Sequence, residues 1–294
     1  MDRARQLGES GIAGLLWKFS LPAVVGMVVH SLYNVVDRIF IGRAVGPVGI
    51  AGISVAFPMM VILMAFGMLI GIGATSLISI RLGQQRRDEA EKVMGNAFAL
   101  FVMVSFVLTF AGLAFIEEIL LMFGASEEIL PHSKEYLEII LMGTVFQCIG
   151  FGMNNFIRGE GNPNTAMSTM LIGAFLNIVL DPVFIFWLDM GIRGAAIATV
   201  ISQAVSSVLV LRYFLFGSSL LKIRLRAFRL ERRIVLGILA IGSAPFAMQL
   251  ASSVIVSLFN HQLRIYGGTI ALSVMGIMFS ILMLILMPVV GISQ

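Results

Sequence analysis

Between Ala44 and Ile80 the chain carries no Asp, Glu, Lys or Arg. A spanning helix needs about 20 predominantly apolar residues, so a run of this length commits the segment to a bilayer. Seven further stretches read the same way: Phe19–Val36, Val93–Ile116, Ile139–Ile157, Gly161–Leu188 (interrupted by Asp181), Gly194–Leu211, Ile234–Leu263 and Ile265–Gln294. The expectation is an all-α integral membrane protein with eight spanning helices and no separate soluble domain. The first stretch is too long, and lacks a small-residue cleavage pattern, for a signal peptide.

Composition agrees. Of 294 residues, 59% are hydrophobic and 12% charged, where a soluble domain carries about a quarter charged residues. That deficit excludes an ordinary globular enzyme. The single cysteine, Cys148, excludes a disulfide framework and any metal site built on several thiolates.

The charges that remain are distributed by side. With the N-terminus in the cytoplasm, fifteen Lys and Arg fall on the cytoplasmic side, among them Arg3, Arg5, Lys18, the Arg81–Lys92 group, Arg158 and the group from Arg212 to Arg233. Five fall outside: Arg38, Arg43, Lys134, Arg193 and Arg264. This bias sets orientation and accounts for a pI near 9.6 through lipid headgroups rather than nucleic acid. The acidic stretch Glu117–Glu138 then lies outside, as a solvated amphipathic connector.

The second part of the chain echoes the first. Ser20-Leu21-Pro22 returns as Ser243-Ala244-Pro245, Ile53-Ser54-Val55 as Leu272-Ser273-Val274, and Gly71-Ile72-Gly73 as Gly291-Ile292-Ser293. Order and register hold. A six-helix repeat would make residues 1–220 one complete lobe and 221–294 the first two helices of a second. That arrangement implies either a truncated form of a twelve-helix protein or an independent eight-helix one. Two such lobes would be related by a pseudo-two-fold axis along the membrane normal.

Polar groups inside the bilayer are costly and mark function. Asp181 shares a helix face with Asn177, four residues earlier. Pro182 would free the carbonyl of Ile178. A carboxylate, a carboxamide and a carbonyl at one level suit a proton or a hard cation such as Na⁺. The alternative is a protonated Asp181 that hydrogen-bonds a neighbouring helix. Asp37 ends the first helix, one turn after Asn34. It is either a second functional carboxylate or a surface partner of Arg38. Pro22 would let that helix bend, linking protonation to gating. Asn154 and Thr199 read first as helix–helix hydrogen bonders, and His30 as a packing donor or a proton acceptor. There is no phosphate-binding Gly-rich loop followed by Lys-Ser/Thr, and no zinc-protease or serine-hydrolase motif. The chain therefore reads as a non-enzyme without an organic cofactor. Expected partners are the bilayer and a small solute, not nucleic acid, with the protein acting as a monomer.

Asn34-Val35-Val36-Asp37-Arg38-Ile39-Phe40-Ile41-Gly42-Arg43, the run Asn154–Pro163, Asn177–Pro182 and Gly191–Thr199 together resemble the multidrug and toxic compound extrusion (MATE) family, from about residue 10 onwards. The resemblance implies two six-helix lobes around a central cavity, and export of organic cations or drugs by antiport with Na⁺ or H⁺. It also implies that Asp37, Asn154, Asn177, Asp181 and Thr199 form a cation or proton site. If sodium is the ion, Asp37, Asn177 and Asp181 are its ligands. The stretch Ile234–Leu263 has no acid, and Asn260 stands where Asp37 repeats, a pattern that resembles the DinF-like branch. A lipid-linked precursor flippase and a non-transporting membrane fragment are the competing readings. Against the flippase stands the position of Arg38, Arg43 and Arg158 near helix ends.

Overall fold

The computed structural model describes residues 12–223 and 228–293. Arg3, Arg5, Arg224, Arg226 and Gln294, used above, lie outside the described residues. The helices are α1 (Ile12–Ala44), α2 (Pro47–Gly83), α3 (Arg87–Ala114), α4 (Ile116–Met122), α5 (Leu130–Met142), α6 (Thr144–Gly159), α7 (Pro163–Pro182), α8 (Gly191–Phe216) and α9 (Arg232–Ser293), with a π-helical turn, Val183–Trp187, after α7.

Among the described residues, six helices are long and apolar enough to span a bilayer: those in Ser20–Ala44, Pro47–Gly83, Arg87–Ala114, Pro163–Trp187, Gly191–Phe216 and Arg232–Val289. A seventh span is the pair α5 and α6, bent by 57° at Gly143. The sequence-based boundary at Ile139 thus falls inside a broken span, because charge alone does not report a bend.

The eighth comes from α9. Its apolar stretch of 58 residues would be about 87 Å long if straight, against a hydrocarbon core of about 30 Å. It is not straight. Gly268 adopts φ 62, ψ −160, a conformation open to glycine but not to side-chain-bearing residues. The packing shows that the chain reverses there. Before Gly268, Ile238 lies against Gly73, Gly242 against Leu69 and Asn260 against Ser54, so this arm runs antiparallel to α2. After it, Gly276 meets Arg38 and Ser54, and Gly291 meets Val24, so the second arm runs antiparallel to α1. Two arms plus six other spans give the eight expected.

Neighbouring helices pack where side chains are small, the usual device in membranes. Gly46, φ 79, starts α2, and Gly52 lies against His132 and Ser133 of α5. One core joins Ile41, Leu63, Leu120, Tyr136, Leu137 and Ile185. The other joins Ile78, Met94, Phe101, Met153, Phe156 and Phe214. Large apolar side chains elsewhere face outward, including Phe110, Phe175, Trp187 and Tyr266, as lipid-facing surface requires. Trp187 and Tyr266 sit at one end, as interfacial aromatics do.

Each end holds its own charge network. At one end Lys134 pairs with Glu117 and Arg193 with Glu135, and Arg264 donates to the Ala125 carbonyl at 2.6 Å. At the other, Arg81 pairs with Glu89 and Lys92 with Glu231. There the segment between α8 and α9 is fastened to the preceding helices. Glu160 accepts from Ser219 Oγ at 2.9 Å and from the Leu220 amide at 2.7 Å. Glu91 accepts from the Lys222 amide at 3.1 Å. Asn96 accepts from the Glu231 amide at 2.7 Å and donates to the Arg229 carbonyl at 3.2 Å.

Candidate functional site

Three helices converge on one buried polar cluster: α1 brings Asp37, α7 brings Asn177 and Asp181, and α8 brings Thr199. All four are nearly inaccessible, Asp181 at 0% and Asp37 at 5%. Helical spacing aligns Asn177 with Asp181. The carboxamide Nδ2 donates to Asp181 Oδ1 at 3.3 Å and to Thr199 Oγ1 at 3.4 Å. These long contacts hold the cluster loosely. Asn177 Oδ1, Asp181 Oδ2 and Asp37 Oδ1 are buried and have no hydrogen-bond partner among the described residues. Buried oxygens are almost always satisfied, so three orphans in one cluster point to something that binds there.

Asp37 and Asp181 are close enough to feel each other's charge. The cation beside them is Arg38, adjacent to Asp37 in sequence and electrostatically coupled to it. Sequence reasoning set Arg38 in an outer loop and at a helix end. It is 8% exposed and donates to Ser54 Oγ on α2 at 3.3 Å. Gly276 on α9 leaves room for that contact. Asp37 and Arg38 are thus buried rather than a surface pair, and they influence each other electrostatically in the interior. Arg158 stands in the last turn of α6, near a helix end as expected, and is half-buried, with Nη2 2.9 Å from Asn154 Oδ1.

Asn154 stands apart from the cluster. Its Nδ2 donates to the Ala166 carbonyl at 3.0 Å and to Thr169 Oγ1 at 2.8 Å. Thr169 is eight residues from Asn177 on α7, about 12 Å along the axis. Asn154 therefore ties α6 to α7 and makes none of the cluster's hydrogen bonds. Pro22 lies within α1, which continues unbroken through it. Pro182 closes α7 and opens the π-helical turn, so the local disturbance follows Asp181 and leaves the turn before it α-helical. His30 packs edge-on to Tyr33, centroids 4.9 Å apart.

Sequence reasoning missed two residues. Tyr136, 2% exposed, comes from the stretch read as a solvated connector and interacts with Asp37, Arg38 and Asp181. Tyr33 stands one turn before Asp37 and interacts with both carboxylates. The available signal for Tyr136 was its place among Leu137, Ile140 and Leu141, the buried face of α5.

The donor set is oxygen only. No group of three or more His, Cys, Asp or Glu that could hold a metal occurs among the described residues. Two carboxylates, a carboxamide and a hydroxyl suit a proton or a small hard cation.

The chain is similar to known proteins over most of its length. Residues 22–183 match the MatE family model. The chain is 29% identical to the "Multidrug export protein MepA" of Staphylococcus haemolyticus, over 97% of this chain and 63% of that protein. It superposes on a ligand complex of the MATE multidrug transporter DinF-BH with a TM-score of 0.91 and 41% identity, covering 97% of this chain and 64% of that one. A superfamily transporter from Pyrococcus furiosus, described as having a binding pocket of reverse polarity, gives a TM-score of 0.87 at 30% identity, with 98% and 64% covered. The chain thus spans a little under two thirds of the length of these relatives. The family consists of transporters and not enzymes, in line with the absence of catalytic motifs. By its family match, the eight apolar spans among its described residues and its DinF-like neighbours, this chain belongs to the MatE family of multi-pass membrane proteins.

Proposed function

We propose that the protein exports organic cations or drugs by antiport with Na⁺ or H⁺, and that Asp37, Asn177, Asp181 and Thr199 form the ion-coupling site. The observation that carries this reading is the set of orphaned oxygens on Asp37, Asn177 and Asp181. Charge balance supports it. Arg38 offsets one of two carboxylates, which leaves one negative charge in a water-poor site. An isolated buried charge is expensive, so the site favours taking up one monovalent cation. Occupying and vacating it changes what α1, α7 and α8 share, which provides a route to alternating access. The kinship with a multidrug export protein and with a multidrug transporter solved in a ligand complex supports an organic, drug-like substrate. No protein cofactor is needed beyond the coupling ion.

In this reading residues 1–220 form the first lobe and 221–294 open the second. The basic end faces the cytoplasm, the N-terminus is inside, and the protein works as a monomer in the plasma membrane. The burial of Arg38 gives the flippase reading one interior cation. That cation is bonded to Ser54 and set against Asp37, so it does not supply a pyrophosphate clamp.

The test is dye efflux from vesicles reconstituted with the full-length protein, under a Na⁺ gradient and separately under a pH gradient. Wild type is expected to export with one of the two, and Asp181→Asn to lose that response. Export by Asp181→Asn equal to wild type under both gradients would overturn the assignment.

A further inference from the structure

A cleft lies on the exterior of the described residues, away from the carboxylate cluster. It sits between the first turns of α7 and the last turns of α8, has a volume of about 350 Å³ and is lined by Thr165, Ser168, Ile172, Leu209, Arg212 and Phe216, among others. Its two walls differ in chemistry. At the membrane end stand Arg212 and the hydroxyls of Thr165 and Ser168. Toward the bilayer interior stand Ile172 and Leu209, while Phe216, the last residue of α8, lies one turn beyond Arg212 at the membrane end. Ile172 is 46% exposed and Phe216 83%.

Arg212 is exposed and its side chain makes no hydrogen bond or ion pair among the described residues. Arg81, Arg86, Arg87 and Lys92 at the same end are each matched to a glutamate. The Thr165 hydroxyl also has no partner there, since only its amide is engaged, by the Asn162 cap. A guanidinium and a free hydroxyl at the interface, above an apolar groove, fit a phosphodiester with acyl chains below it.

We propose that this cleft binds one anionic phospholipid, with its phosphate on Arg212 and Thr165 and a chain along Ile172 and Leu209. The charge of Arg212 selects an anionic headgroup over a zwitterionic one. The apolar wall selects a lipid over a free phosphate. The inference stands apart from the transport reading, because it concerns the outer face of α7 and α8 and its test reads lipid retention.

Purified full-length protein in mild detergent would be titrated with phosphatidylglycerol or phosphatidylcholine, with bound lipid counted by native mass spectrometry. Wild type should retain phosphatidylglycerol in preference. Arg212→Gln should lower that retention about five-fold, the scale of one basic contact with an anionic lipid. Arg233→Gln, which removes the same charge from the same end outside the cleft, should leave it unchanged. Leu209→Trp, which fills the groove and keeps Arg212, should also reduce it. Melting temperatures without added lipid report folding of each variant. Equal retention by wild type, Arg212→Gln and Leu209→Trp would overturn the proposal. Displacement of the lipid by excess glycerol phosphate would do so too, by making this a site for a free phosphate.

Discussion

Asn154 and Asn177 illustrate how the same side chain takes on different work according to its neighbours. Both are buried, at 3% and 2%. Asn154 is saturated: two hydrogen bonds from Nδ2 and one to Oδ1 join α6, α7 and Arg158. Asn177 keeps an oxygen without a partner. Their substitutions should therefore separate. Asn154→Ala strands buried partners and should cost about 1–3 kcal/mol, read as a lowered melting temperature, with the ion dependence of export retained. Asn177→Ala should change the ion dependence more than the melting temperature. A shift in ion dependence for Asn154→Ala would place it back in the coupling site. The resemblance that grouped the two could not distinguish them, because residue type is the same and only the path of α6 decides the difference.

At the scale of the helix, Gly194 controls how near α8 comes to the π-helical turn. A Cβ there would lie 2.7 Å from the Phe184 carbonyl carbon. Gly194→Val should push α8 outward, with an overpacking cost of about 1–3 kcal/mol, and should lengthen the Asn177–Thr199 contact five residues on. The expected result is a lower melting temperature together with weakened ion-stimulated export, measured in the same preparation. Much of the fold was legible at this scale, because the bilayer leaves uncharged segments few alternatives to helix. Asp181 and Asn177 were legible for the same reason, as polar residues on one face of an apolar segment. What was not legible depends on tertiary approach. The bend between α5 and α6 brings Tyr136 inward from an acidic stretch, and Gly276 makes room for Arg38 from far along the chain. The approach of Arg38 to Gly276 has no local signature, and Tyr136 had only its place on the apolar face of α5.

For the whole molecule, the segregated charge networks define two ends, and the proposed orientation assigns them to opposite sides of the membrane. Single cysteines at exposed Gln84 and Leu188 should react with a membrane-impermeant thiol reagent from opposite faces. Gln84→Cys is expected to react in inverted vesicles and Leu188→Cys in right-side-out ones. Native Cys148, 2% exposed, should stay silent in both. Labelling of both positions from one side would overturn the topology.

The fastening between α8 and α9 has a mechanical consequence. Glu160, Glu91 and Asn96 grip the connecting segment as far as the Glu231 amide, and α9 begins at Arg232. No loose tether separates grip from helix. If α9 and whatever it carries tilt against the preceding helices, the fulcrum lies at the peptide between residues 231 and 232. The first arm of α9, from Arg232 to the reversal at Gly268, then acts as a lever, and a small rotation at its base becomes a displacement of several ångströms at its tip, where Asn260 meets Ser54.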